Sequence, residues 1–159
     1  MGADVLVNPV NCAGVMGKGL ALEFKLRYPA MYTCCRMACL EQELKPGGLL
    51  VWRSCTGWVV SLATKDDWRA PSSYAWVAAC LAALRDLSCP VSGGYVALPT
   101  FRCGNGGLDW ARVKPLIEGP GGPLQQDSRV CSPVLSTSYL THNNCLIRPG
   151  VRLDPRPLA

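Results

Sequence analysis

The chain has 159 residues, of which 49% are hydrophobic, a formal net charge of +5 and ten cysteines. That length suits one domain with a real core, and the composition excludes a disordered chain. No uncharged apolar run approaches the ~20 residues that span a bilayer, no signal peptide opens the chain and no Lys/Arg block forms a polyanion-binding arm, so the expected setting is cytoplasmic, without membrane attachment.

Residues 4–10, "DVLVNPV", predict a strand ending in a turn. Leu20, Phe24 and Tyr28 lie at i, i+4 and i+8, on one face of a helix. Pro29 breaks that helix and starts the next, and "AMYTCCRMACLEQEL" continues helically until "KPGG". "GLLVWRS" and "WVVSLAT" predict two buried strands joined by a "CTG" turn. "PSSYAWVAACLAALRDL" predicts a helix with Pro71 in its first turn and an apolar stripe of Tyr74, Val77, Leu81 and Leu84. "GGYVALP" follows as a short strand, and "LDWARVKPLIE" as a helix that Asp109 caps.

The order β, α, α, β, β, α, β, α argues for a layered α/β domain over residues 1–118. Beyond Glu118 the character changes. Residues 119–159 hold six of the thirteen prolines, carry no helical stripe, and are expected to form a poorly ordered tail.

Ten cysteines would fit a secreted disulfide scaffold, but Cys34, Cys35 and Cys39 fall inside one predicted helix and no secretion signal precedes them. No C-x-x-C occurs and His142, the one histidine, has no nearby partner. The thiols therefore read as buried and free, and no metal or cofactor is expected.

Two glycine-rich stretches follow strands and precede helices, where open α/β sheets bind ligands. The first, "GVMGKG" (14–19), is not a Walker loop: Gly17-Lys18 is followed by Gly19, and Cys12 stands where the first glycine belongs. No G-x-G-x-x-G fits either. By mechanics alone the loop is either a structural turn or a set of backbone N–H groups aimed at a phosphate.

Asn8, Asn11, "GVMGKG", "LATK", "WRAPS" and "CGNGGLDW" occur in one order with compact spacing. Together they resemble the macrodomain family, a three-layer α/β/α fold with a mixed central sheet that binds ADP-ribose. The resemblance covers residues 3–118 and lies with the DNA ADP-ribosyl glycohydrolase branch, the DarG-type antitoxins. It implies that Asn8 and Asn11 hold the distal ribose and shape the catalytic loop. Cys12, Gly14, Val15, Met16, Gly17, Lys18 and Gly19 would wrap the ribose and approach the diphosphate. Cys103, Gly104, Asn105, Gly106, Gly107 and Leu108 would form the second phosphate loop.

Thr64 and Lys65 match the strand-end "TK" in which the lysine carries the chemistry. A lysine can attack an anomeric carbon if its amine is neutral. Asp66 and Asp67 would oppose that unless they point to solvent. Without the resemblance, Lys65 reads as an ordinary strand-end lysine. Trp68 and Arg69 offer a stacking face and a cation to a nucleobase or strand; the alternative is that Trp68 packs under the helix after Pro71.

Departures from the family pattern also carry meaning. Asp67 replaces a histidine usual before the tryptophan. Gly106 stands where the terminal ADP-ribose glycohydrolases carry an acidic residue, which favours the DNA-type branch, and Arg102 replaces a small residue. Macrodomains begin with a strand ending in an adenine-binding Gly-Asp, whereas this chain opens on "MGADVLV". The final strand is unmatched too, so a four-strand core with an open sheet edge is expected.

The implied activity is removal of ADP-ribose from nucleobases, thymine first, in DNA, by a monomer whose partners are ADP-ribosylated single-stranded DNA and a DNA-modifying toxin. The alternatives are a non-catalytic ADP-ribose-binding module and an ADP-ribose-1''-phosphate phosphatase.

Overall fold

The central strand, β1 (Val5–Asn11), alternates its apolar side chains between two cores. In this computed structural model, which describes residues 3–54, 57–86, 96–101 and 107–118, it is followed by α1 (Gly19–Arg27), α2 (Pro29–Leu40), β2 (Leu49–Arg53), β3 (Trp58–Lys65), α3 (Tyr74–Asp86), β4 (Val96–Ala97) and α4 (Trp110–Glu118). The expected tail, 119–159, lies outside the described residues.

Among the described residues the sheet has four strands in the order β2-β3-β1-β4. β1 runs parallel to both β3 and β4, while β2 runs antiparallel to β3. The sheet is therefore mixed, as expected. One face carries Val5, Val7, Leu49, Val51, Val60 and Leu62 against Val77, Leu81, Val113 and Ile117 of α3 and α4. The other carries Val10, Leu50, Trp52, Val59 and Ala63 against Phe24, Met31, Cys35 and Ala38 of α1 and α2. β1, β2 and β3 each feed both cores because successive residues point to opposite faces. Tyr28 and Trp52 join the second core, their rings 5.6 Å apart.

Several boundaries differ from the sequence expectation. Pro29 opens α2 as predicted, but that helix stops at Leu40. Gln42 takes φ +56, its N–H donates to the Cys39 carbonyl and the Glu43 N–H to the Ala38 carbonyl. This is a Schellman turn built without glycine. Leu44 then returns to the core instead of extending the helix. α3 begins at Tyr74, leaving Pro71 in the preceding loop. The strand expected over "GGYVALP" is confined to Val96–Ala97 among the described residues.

Candidate active site

At the carboxyl end of the sheet, β1 and β3 fall out of step. Val10 pairs with Ala63 but Asn11 pairs with Lys65. Thr64 is the extra residue, a bulge in a parallel pair, and such bulges re-aim side chains beside active sites. It brings Lys65 level with Asn11, the residue just before the first glycine-rich loop. The backbone N–H of Cys12 then donates to the Lys65 carbonyl at 3.1 Å and to the Asp66 carbonyl at 2.9 Å. Lys65 is 8% exposed and Thr64 is buried. Asp66 is exposed, and the Asp67 carboxylate accepts the Arg69 N–H at 2.8 Å. The first carboxylate faces water and the second is bound to its own turn.

The loop from Cys12 to Gly19 is held by Asn11. Its Nδ2 donates to the Val15 carbonyl at 2.7 Å and its Oδ1 accepts the Val15 N–H at 3.1 Å. Asn11 thus shapes the loop with both ends of its amide. The Cys39 thiol adds a contact to the Asn11 carbonyl at 3.7 Å.

Gly14 has φ +72 and lies on α2, where a Cβ would meet Arg36 and Cys39 at 3.4–3.5 Å. Met16 is buried beside Asn8. By contrast Val15, Gly17, Lys18 and Gly19 are exposed, so the loop alternates anchors with residues open to a ligand. Asn8 is fully buried. Among the described residues its Nδ2 makes only a 3.9 Å contact with the Met16 sulfur and its Oδ1 has no hydrogen-bond partner. Cys12 is half-buried; burial first, then the Cys39 thiol and the Asp66 carboxylate, push its thiol up to about 12.

Of the second loop, Cys103, Gly104, Asn105 and Gly106 lie outside the described residues, as does Arg102. Gly107 is exposed with φ +72 and Leu108 anchors the loop in the core. Asp109 is a cap, as predicted: its carboxylate accepts the Ala111 N–H at 2.9 Å.

Sequence reasoning missed two features here. Phe101 is buried with φ +41, a strained backbone immediately before the loop that no residue signal announces. Tyr74 belongs to the rim as well as to the α3 stripe: its hydroxyl accepts the Asp109 N–H at 3.0 Å, and the Arg112 guanidinium sits 4.0 Å from its ring centre. Trp68 does not pack beneath α3; it is 47% exposed, with the Arg69 guanidinium 4.2 Å from its ring centre.

Among the described residues no three His, Cys, Asp or Glu side chains are grouped to hold a metal ion, and no helix is long and apolar enough to cross a membrane. Cys12, Cys35, Cys39 and Cys80 are free thiols. Cys34 is disulfide-bonded, which corrects the expectation at that position, while Cys35 and Cys39 in the same helix are free as expected.

The Macro domain family model matches residues 7–117. This chain belongs to the Macro domain family. The macrodomain is 43% identical over 117 residues to the DNA ADP-ribosyl glycohydrolase of Mycobacterium tuberculosis (strain H37Rv), covering 70% of this chain and 33% of that protein. It thus spans about a third of the length of the curated relatives it matches. The solved macrodomain of M. tuberculosis DarG superposes with a TM-score of 0.66 at 42% identity, over 70% of this chain and 76% of that one. Thermosipho africanus DarTG in complex with ADP-ribose superposes with a TM-score of 0.65 at 28% identity, over 72% of this chain and 34% of that one. The likeness to DNA ADP-ribosyl glycohydrolases within the family, read from the motifs, is the one these relatives bear.

Proposed function

We propose that this macrodomain is an ADP-ribosyl glycohydrolase that removes ADP-ribose from nucleobases in DNA, thymine first, with Lys65 as the catalytic residue. The observation that carries the reading is the Cys12–Lys65 backbone bond, which joins the lysine to the loop that would hold the distal ribose. The relatives named DNA ADP-ribosyl glycohydrolase support the same reading.

The neutral form of the Lys65 amine is the nucleophile. The nitrogen lone pair attacks the anomeric carbon of the distal ribose. The glycosidic bond breaks, and its electron pair leaves with the base nitrogen, which takes up a proton. Water then hydrolyses the lysine–sugar link, releasing ADP-ribose and the free amine. Gly17 and Gly19 bring backbone N–H groups to the diphosphate without side-chain obstruction. Asn8 Oδ1, buried without a partner, suits a ribose hydroxyl as its donor, since a buried acceptor left unmade costs about 1–3 kcal/mol. The protein acts as a monomer. Its functional partner is the enzyme that ADP-ribosylates the DNA, a pairing supported by the transferase–glycohydrolase fusion of T. africanus.

The test is incubation with an oligonucleotide ADP-ribosylated on thymine, read by gel shift. Wild type restores the unmodified mobility. Lys65→Ala and Lys65→Arg do not, yet both bind ADP-ribose in calorimetry. Release of phosphate from ADP-ribose-1''-phosphate with no action on DNA would replace this reading with the phosphatase, and binding without turnover of either substrate with the binding module.

A further inference from the structure

Two arginine–aromatic pairs stand on the rim of the site, at the carboxyl end of the sheet. Trp68 and Arg69 follow Lys65 within four residues. Tyr74, the first residue of α3, is paired with Arg112 in the first turn of α4. The six residues from Trp68 to Tyr74 limit their Cα separation to about 20 Å. The segment carrying the first pair meets the loop ahead of the second: a Cβ on Gly107 would lie 4.0 Å from that of Pro71.

Both pairs are held in place. The Asp67 carboxylate and carbonyl accept the N–H groups of Arg69 at 2.8 Å and Ala70 at 3.2 Å, which fixes the turn under Trp68. The hydroxyl of Tyr74 accepts the Asp109 N–H at 3.0 Å, which clamps its ring between the starts of α3 and α4. Arg85 pairs with Asp86 and Lys114 with Glu118, but neither Arg69 nor Arg112 is in an ion pair among the described residues. An arginine laid against a ring still directs its N–H fork outward, in the geometry that suits a phosphate.

We propose that Trp68–Arg69 and Tyr74–Arg112 form a track for the unmodified nucleotides flanking the ADP-ribosylated base, stacking them on the rings and holding their phosphates with the two guanidinium groups. The proposal rests on the glycohydrolase reading and adds the place of the flanking strand, whose single-stranded bases present free faces to aromatic side chains. Duplex bases are already stacked on one another and reach such platforms only when extruded.

The track has its own readout, separate from turnover. The probe is a fluorescent, unmodified oligothymidine, measured by anisotropy against salt, with ADP-ribose affinity measured in parallel by calorimetry. Wild type binds the single strand better than a duplex of the same length. Arg112→Ala and Trp68→Ala each lower the ratio of oligonucleotide to ADP-ribose affinity roughly tenfold, the size of one lost stacking contact. Arg112→Ala also reduces the slope of log affinity against log salt by about 0.7. Equal binding of duplex and single strand overturns the track, and so does an unchanged affinity ratio in Arg112→Ala with unchanged melting temperature. If the variants weaken oligonucleotide binding as expected while wild type leaves the ADP-ribosylated oligonucleotide intact, the track stands and the glycohydrolase reading falls.

Discussion

The N–H of Cys12 donates to the carbonyl of Lys65 at 3.1 Å. Through that bond the first residue of a glycine-rich loop is fixed against the strand end that carries the amine. The relation is made by backbone, so it depends on the loop's own conformation more than on the side chain at position 12. The side chain that sets this conformation is Asn11, on the residue before.

Asn11→Ala removes both hydrogen bonds that span the loop to Val15. It leaves the Val15 carbonyl and N–H without their partner. A loss of about 1–3 kcal/mol of stability is expected, together with an ADP-ribose affinity reduced by roughly tenfold or more, since each 1.4 kcal/mol of lost preorganisation is tenfold. Chemical denaturation and calorimetry check the two effects. An unchanged affinity would mean that the loop does not hold the ligand.

Two glycines in the same loop separate structural from functional need. Gly14 has φ +72 and faces Arg36 and Cys39 at 3.4–3.5 Å, so Gly14→Ala is expected to cost about 1–2 kcal/mol from the left-handed backbone alone. Gly17 has no positive φ, and among the described residues its added Cβ would meet only the Val15 side chain, at 3.7 Å. Gly17→Ala should therefore melt like wild type. If backbone N–H groups approach a pyrophosphate there, Gly17→Ala loses ADP-ribose binding without losing stability. Retained binding in a stable Gly17→Ala would remove this position from the phosphate loop.

The thiols predict a pH dependence. In the folded state Cys12 holds its proton up to about 12, against an ordinary value of 9.0, with burial as the main cause. Cys80 is displaced in the same direction, again by burial. The unfolded chain therefore loses these protons first as pH rises. The stability they contribute is fully present below about pH 9 and is lost progressively towards pH 12. The urea midpoint should fall between pH 8 and pH 10.5, and Cys12→Ala should fall less steeply over the same interval. Parallel curves for the two proteins would refute the assignment to Cys12.

Much of this was legible in the sequence wherever the controlling chemistry is local. Pro29 at the start of α2 and the alternation in β1, β2 and β3 announce themselves by residue type and spacing. The pairing of a glycine-rich loop with a strand-end lysine came from the resemblance to the macrodomain motifs, since Lys65 alone reads as an ordinary strand-end lysine. What was not legible depends on distant partners or on residues that carry no special signal. The end of α2 turns on Gln42 in a left-handed conformation, where glycine would have marked the stop. The bulge at Thr64 exists only in the register of β1 against β3. The rim pairing of Tyr74 with Asp109 joins residues 35 apart in sequence, and the apolar stripe of α3 gave Tyr74 a sufficient role without it.

Asp109 is the acidic residue nearest the second loop among the described residues, and it decides between a cap and an acid. Its carboxylate accepts the Ala111 N–H, its carbonyl accepts the N–H groups of Arg112 and Val113, and its own N–H is bound by the Tyr74 hydroxyl. Its polar groups therefore serve the start of α4. Asp109→Ala should lower stability by about 1 kcal/mol, the usual worth of an N-cap, and Asp109→Asn should cost little, because an asparagine side chain caps nearly as well. Turnover of the ADP-ribosylated oligonucleotide separates the roles. A cap leaves kcat in Asp109→Asn close to wild type, since the amide keeps the acceptor that α4 needs. A catalytic acid or base loses it by about 10²–10⁴-fold, because an amide neither gives nor takes the proton. Steady-state kinetics on Asp109→Asn, with its melting curve alongside, is the deciding measurement, and a fall of that size in a stable protein would move Asp109 into the catalytic machinery with Lys65.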